Sequence, residues 1–251
     1  MKRYCLYLFI LIGISCSAEL KAQKNGTVYK GNDPAVRYTG RTLVSPDGSV
    51  AFDWVGTYLE TRFTGGKLSV KVSETGTSYY NVFVDGKLHK VVKVCGTDTL
   101  IHLVSGIDKR IHSLKIQKRS EGEFGKTTVH QFVLSGSGRL AEEPAVRTRH
   151  IEFIGNSLTC GYGTDGKHRD EPFLVETENC NLTFASMVAR YYDADYTLIA
   201  HSGRGAARNY GDSVRVSKVT LKDRMLNTFD EDLTHKWNFK EYRPDLVVIN
   251  L

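Results

Sequence analysis

The sequence has no C-x-x-C pair and no cluster of histidine and cysteine at ligand spacing, so nothing in it points to a metal site. It has no Lys/Arg run interleaved with aromatic residues. Its formal net charge is +6 over 251 residues, and part of that sits in the first 22: Lys2, Arg3 and Lys21 against Glu19 account for +2 and leave +4. So mild a balance argues against nucleic acid as a partner. After the first apolar run, no segment is long and apolar enough to cross a bilayer as a helix. From 36 to about 135 no stretch has helical periodicity, which argues against a helical first half.

What is present begins with an export signal. Lys2 and Arg3 form a charged region, Leu6 to Ile14 an apolar one, and small residues follow, with cleavage expected after Ala18 or Ala22. The expected location is therefore periplasmic or extracellular. Cys16 raises a lipoprotein reading, but Gly13-Ile14-Ser15 before it departs from a leucine-led lipobox. Of five cysteines, Cys5 and Cys16 fall in the signal. Cys95, Cys160 and Cys180 remain, an odd number in an exported chain, so at least one stays free or pairs outside it. Cys160 and Cys180 flank one loop and are either a bridge or two buried thiols.

Residues 23–140 read as an antiparallel β-sandwich. Lys67 to Ser73 alternates polar and apolar with period two. Tyr80 to Val84 runs through Asp85-Gly86 into Lys87 to Val94, a hairpin with a two-residue turn. His112, Leu114 and Ile116 alternate with Ser113, Lys115 and Gln117, and Val129 to Leu134 reads as a last strand. Phe52, Trp54, Phe63, Tyr80 and Phe83 are expected in the core. The histidines at 89, 102, 112 and 130 lie on different strands and do not read as a site. Residues 141–149, charged and containing Pro144, read as a linker.

From 150 to 251 the period changes. Ile151 to Ile154 reads as a buried strand. Phe184, Met187, Val188 and Tyr191 fall at i, i+3, i+4 and i+7, the expected buried face of a helix starting near Asn181. Tyr196 to Ala200 is a second strand, Val216 to Leu226 a further helix, and Leu246 to Leu251 a strand suited to burial on both faces. Strand, helix, strand, helix, strand describes the first half of a doubly wound α/β domain. Such sheets bind ligands at the carboxyl ends of their strands, and Ser157 follows the first strand by two residues.

The run Gly155-Asn156-Ser157-Leu158-Thr159-Cys160-Gly161-Tyr162-Gly163 resembles block I of the SGNH (GDSL-type) hydrolases, in the form found in carbohydrate esterase family 2, the two-domain acetyl esterases of plant polysaccharides. The usual Asp is replaced by Asn156, which loses a charge and keeps an acceptor oxygen. Ser202-Gly203-Arg204-Gly205 is similar to block II. Trp54-Val55-Gly56-Thr57 and Phe83-Val84-Asp85-Gly86 resemble the family's N-terminal jelly roll. The resemblance implies a catalytic nucleophile at Ser157 and an oxyanion donor at the Gly203 amide. It implies an acyl-enzyme, no metal or organic cofactor, an acetylated polysaccharide or oligosaccharide as substrate, and a monomer.

In that family a block III asparagine follows a strand like Leu246 to Leu251, and the base is a histidine in a late Asp-x-x-His. By the resemblance both lie beyond Leu251, so the 251-residue chain is expected to be incomplete, weakly active or inactive. Asp165–His168 and Asp232–His235 fit Asp-x-x-His but precede the third strand, and His201 reads as a structural residue at the cleft edge. The rival expectation is a non-catalytic carbohydrate-binding protein whose hydrolase half is a relic.

Overall fold

The computed structural model describes residues 26–142 and 144–251. The expected export signal, with Cys5 and Cys16, lies outside the described residues. Among the described residues no helix is long and apolar enough to cross a membrane.

Ten strands form one antiparallel sheet: β1 (Gly26–Lys30), β2 (Val36–Thr39), β3 (Leu43–Val44), β4 (Val50–Phe52), β5 (Tyr58–Thr64), β6 (Lys67–Val84), β7 (Lys87–Val104), β8 (Ile111–Lys118), β9 (Thr127–Ser135) and β10 (Arg139–Leu140). The order is β10-β5-β8-β6-β9-β4-β3, with β2 on β5, β7 on β6 and β1 on β9. Strand β6 curls the sheet into a sandwich. Lys67 to Glu74 pairs with β9, whereas Tyr80 to Val84 pairs with β8. The register with β7 shifts between Val72 and Thr77, so the strand bends there and passes from one layer to the other. The expected segments Lys67–Ser73 and Tyr80–Val84 are thus two ends of one strand. The turn to β7 is the expected two-residue one, with Asp85 and Gly86 both at positive φ (50° and 75°), as a type I′ turn requires. Phe52, Phe63 and Tyr80 are buried between the layers, while Phe83 is half-buried.

A second sheet is parallel, in the order β12-β11-β13, from β11 (His150–Gly155), β12 (Asp195–Ala200) and β13 (Leu246–Asn250). Gly155 pairs with Ala200 on one side and Asn250 on the other, so all three carboxyl ends share one edge. Short α1 (Ser157–Cys160) follows β11, α2 (Phe184–Tyr191) precedes β12, and α3 (Leu221–Arg224) is all that becomes α-helical of the expected 216–226 helix.

One expectation is corrected, and two open ones are decided. Helix α2 buries Ala185, Ser186 and Ala189, not the apolar stripe; Tyr191 on that stripe is 83% exposed. Small side chains let the helix lie close to the sheet, and Phe184 reaches it only with its edge, 6.0 Å from Phe153 at 80°. Strand β13 pairs along one edge only and exposes Leu246, Val247 and Ile249. Cys160 and Cys180 are two buried free thiols, not a bridge, and Cys95 is exposed and free. Cys180 donates instead to the Lys118 carbonyl at 3.4 Å, and burial pushes its pKa up to about 12.

The segment Asp53–Thr57, between β4 and β5, with Tyr58 at the start of β5, leaves the sandwich and enters the parallel region. Trp54 packs with Ile154, Ile199 and Leu221, and Val55 and Tyr58 with Phe153, Tyr196 and Leu198. Polar anchors surround it. Asp53 accepts from the Asp230 and Glu231 amides (2.8 and 3.1 Å), and the Tyr58 hydroxyl donates to Asp195 at 2.6 Å. Fully buried Arg41 donates to the Met225 and Asn227 carbonyls at 2.6 and 2.9 Å. Arg147, inside the expected linker, pairs with Glu60 and, at 2.8 Å, with Asp195.

Candidate active site

At the carboxyl edge of the parallel sheet, a cleft of about 750 Å³ is lined by Asn156 and Ser157 after β11, by Ser202 to Gly205 after β12, and by Leu251 after β13. Glu123, from the β8–β9 loop of the sandwich, completes one wall, and Tyr162, Arg208 and Tyr210 stand around the opening. The two residues singled out in the sequence, Ser157 and Gly203, thus meet in one cavity because strand order places their loops side by side.

Ser157 is the first residue of α1. Asn156 is its N-cap, extended at φ −120°, with its side-chain oxygen accepting from the Leu158 amide at 3.3 Å. Asparagine and aspartate cap about equally well, so the departure from Gly-Asp-Ser costs the turn little. The helix stops after one turn because Gly161 is left-handed (φ 87°), and a Cβ there would sit 2.5 Å from the Asn179 carbonyl. The Ser157 hydroxyl is therefore held at a fixed turn and faces the cleft. Gly203 is likewise left-handed (φ 72°), a conformation that suits glycine. Among the described residues, neither the Ser157 nor the Gly203 amide donates a hydrogen bond, and the Ser157 hydroxyl has no partner. Two free N–H groups and one free hydroxyl on a shared cleft are the parts needed to attack a carbonyl and hold its developing charge.

None of the four histidines of this half reaches Ser157. His150 opens β11, at the far end of the strand from Ser157, with Nε2 2.8 Å from Thr197 Oγ1. His168 lies in a separate hollow with Arg169 and Phe173. His235 is exposed, with Nδ1 2.8 Å from Asp232 Oδ2 and its ring edge-on to Phe229. His201 is buried behind the cleft, with Nδ1 2.7 Å from the buried Asp230 carboxylate. Burial lowers its pKa, but the Asp230 hydrogen bond and charge, with Glu121, outweigh this and raise it overall. It is held as the hydrogen-bond partner of Asp230, behind the cleft rather than at its edge.

Sequence reasoning missed the acidic group behind the cleft. Glu121, Cys160 and Glu178 bring donor atoms within 4.8 Å of one another, and so do His201, Asp230 and Glu231. The Glu121 carboxylate is taken by Ser202, whose N–H and hydroxyl both donate to it. Burial, reinforced by Glu121, pushes the Glu178 carboxyl up to about 10 and so keeps it neutral. In the second group Arg224 donates to Asp230 and Glu231, placing a cation where a metal would go. Both groups read as hydrogen-bonded networks. Beside the opening, Tyr162 stacks on Phe173 at 3.7 Å, and Tyr210 is 93% exposed.

The chain is similar to known proteins over most of its length. Residues 38–144 match the family model described as carbohydrate esterase 2 N-terminal. The chain is 33% identical over 220 residues to the cellulase/esterase CelE of Acetivibrio thermocellus, covering 88% of this chain and 26% of that protein. It is 32% identical over 219 residues to an acetylxylan esterase / glucomannan deacetylase of Cellvibrio japonicus, covering 84% of this chain and 59% of the relative. A family two carbohydrate esterase from Clostridium thermocellum, solved in complex with cellohexaose, superposes with a TM-score of 0.81 at 33% identity, over 86% of this chain and 65% of that one. The chain thus spans about a quarter to two thirds of the length of these proteins. The match over the sandwich, and likenesses that run across both sheets, make the chain similar to the family two carbohydrate esterases.

Proposed function

We propose that this protein is an exported serine esterase that removes acetyl groups from plant polysaccharides of the acetylxylan or acetylmannan type. The observation that carries the reading is the convergence of the free Ser157 hydroxyl with the free Ser157 and Gly203 amides on one cleft. Ser157 attacks the acetyl carbonyl, the two amides hold the oxyanion, and the sugar hydroxyl leaves. Water then releases acetate from the acyl-enzyme. A serine hydroxyl needs a base, and none of His168, His201 and His235 is placed to serve. In the family it resembles, a histidine base and a third, asparagine donor follow the strand that β13 matches. The relatives named for acetylxylan and glucomannan support the substrate class, and export follows from the reading of residues 1–22.

The test is acetate release from acetylated xylan and glucomannan by the full-length gene product. Turnover is expected, and Ser157→Ala should abolish it. A second reading, a carbohydrate-binding protein without catalysis, is favoured by the unpartnered Ser157 hydroxyl and by the relative solved with cellohexaose. It predicts glycan binding with no acetate release and an affinity that Ser157→Ala leaves unchanged.

A further inference from the structure

The Gly203 amide can hold an oxyanion only if its loop is fixed, and the loop lies at the protein surface between β12 and a long irregular stretch. Gly203 itself is left-handed, which leaves the peptide on either side of it free to rotate unless something restrains it. After Gly203 the loop is tied by its carbonyl, which accepts from the Tyr210 amide at 2.8 Å. Tyr210 is 93% exposed, and the buried anchors on this side come two residues later, at Gly205, whose N–H donates to Asn209 at 3.3 Å and whose carbonyl accepts from the Leu221 amide at 3.1 Å. Before Gly203 the restraint comes from the other sheet. Glu121 follows β8 and is fully buried. One of its carboxylate oxygens accepts from the Ser202 N–H and the other from the Ser202 hydroxyl.

Glu121 is itself held from behind. Its own N–H donates to Glu178 at 2.9 Å, and Lys118 Nζ lies 3.3 Å from its carbonyl. Cys160, three residues after Ser157 on α1, lies in the same group. One carboxylate therefore joins the sandwich, the turn that carries Ser157 and the loop that carries Gly203. Both of its oxygens are committed, and a bidentate grip of this kind fixes orientation as well as distance.

We propose that Glu121 is a positioning residue that aims the Gly203 amide at the carbonyl attacked by Ser157. The sandwich thereby contributes to transition-state stabilisation as well as to architecture. This rests on the esterase reading. Glu121 does not touch the substrate; it acts through Ser202. Misplacing a donor by about an ångström costs on the order of a hundredfold in rate, and it does so in the chemical step more than in ground-state binding.

The experiment compares Glu121→Ala, Glu121→Gln, Ser202→Ala and the double variant Glu121→Ala/Ser202→Ala in the full-length gene product, by steady-state acetate release and by amide hydrogen exchange. Glu121→Ala should lower kcat by about ten- to a hundredfold and leave KM within about twofold. Glu121→Gln should recover most of that loss. Its amide oxygen still accepts from the Ser202 N–H, and the serine hydroxyl can turn to accept from its NH₂. The double variant should be no slower than Glu121→Ala alone, because both changes break the same linkage. Exchange at the Ser202 amide, which donates to Glu121, should quicken in Glu121→Ala while β11 stays protected.

Wild-type kcat in Glu121→Ala, or a loss carried by KM, overturns the proposal even where Ser157→Ala is inactive and the esterase reading stands. If Glu121→Ala does not fold, Ser202→Ala decides, with an expected drop of about three- to tenfold in kcat at unchanged KM; wild-type kcat there is equally fatal. If the wild-type protein releases no acetate, the esterase reading fails alone. The exchange measurement, made on Ser202→Ala where Glu121→Ala does not fold, then decides whether Glu121 holds the loop, and unchanged exchange at residue 202 ends the idea.

Discussion

The two sheets of this molecule obtain their cores differently. The sandwich buries eighteen apolar side chains, from Val36 to Leu140, all its own. The parallel sheet buries sixteen in two clusters, and three of them come from the sandwich: Trp54 and Val55 from the β4–β5 loop and Tyr58 from the start of β5. Trp54 is among the largest fully buried side chains in the molecule. Without those three, the faces of β11 and β12 would lie open at Ile154, Phe153 and Leu198. One region is self-sufficient and the other is completed by its neighbour. The change of period near residue 140 therefore marks a change of architecture, and we infer that it does not mark two independent folding units. Arg147 and Arg41 fasten the same seam with buried or half-buried ion pairs, which are costly to break from one side.

The most severe way to break the comparison is to separate the halves. A 26–142 fragment should fold alone and show dispersed amide resonances, whereas a 150–251 fragment should not. Dispersed spectra from both fragments would restore two independent units. A milder test keeps the chain whole. Trp54→Ala should cost about 3–5 kcal/mol, in the range for a buried large aromatic. Hydrogen exchange should then show β11 and β12 opening while β6 and β9 stay protected. Phe63→Ala, of similar cost, should instead loosen both regions, since the second depends on the first.

The smallest effect sharpens the polar side of the seam. Glu178 belongs to the parallel half, but burial and the sandwich's Glu121 raise its pKa from 4.5 to about 10. Between those values the unfolded chain has released this proton and the folded one keeps it. Unfolding then releases a proton, and stability falls as pH rises through that window. Melting temperatures measured from pH 5 to 9 should decline less steeply in Glu178→Gln than in wild type. Equal slopes would place the ionisation elsewhere.

Local pattern made much of this legible. Alternation found the strands, Asp85-Gly86 found the turn, and the order of the three parallel strands was enough to bring Ser157 and Gly203 to one edge. What could not be read were choices made by distant partners. Phe184, Met187, Val188 and Tyr191 have the period of a buried face, yet Ala185, Ser186 and Ala189 are buried because closeness to the sheet, not apolar area, decided the packing. Leu246 to Leu251 reads as a strand buried on both faces, but nothing in an apolar run says what covers it. Glu121 sits in Arg119-Ser120-Glu121-Gly122-Glu123, which looks like a solvated loop; its partner Ser202 is 81 residues away, with no periodic relation to it. Whether Cys160 and Cys180 bridge stayed open for the same reason, since each thiol is committed to different neighbours in the buried seam.

The loaned loop also imposes a schedule. Asp53 to Tyr58 is synthesised roughly a hundred residues before the strands it completes, and chains fold broadly in the order in which they emerge. Trp54 and Val55 must therefore wait, greasy and uncovered, on a sandwich that is already closed, until β11 and β12 arrive to settle over them. During that interval the nascent protein offers a sticky patch to any passing chain. A holdase that shelters it, or a slower rate of synthesis after residue 140, would change the yield of folded protein without touching a single contact of the finished structure.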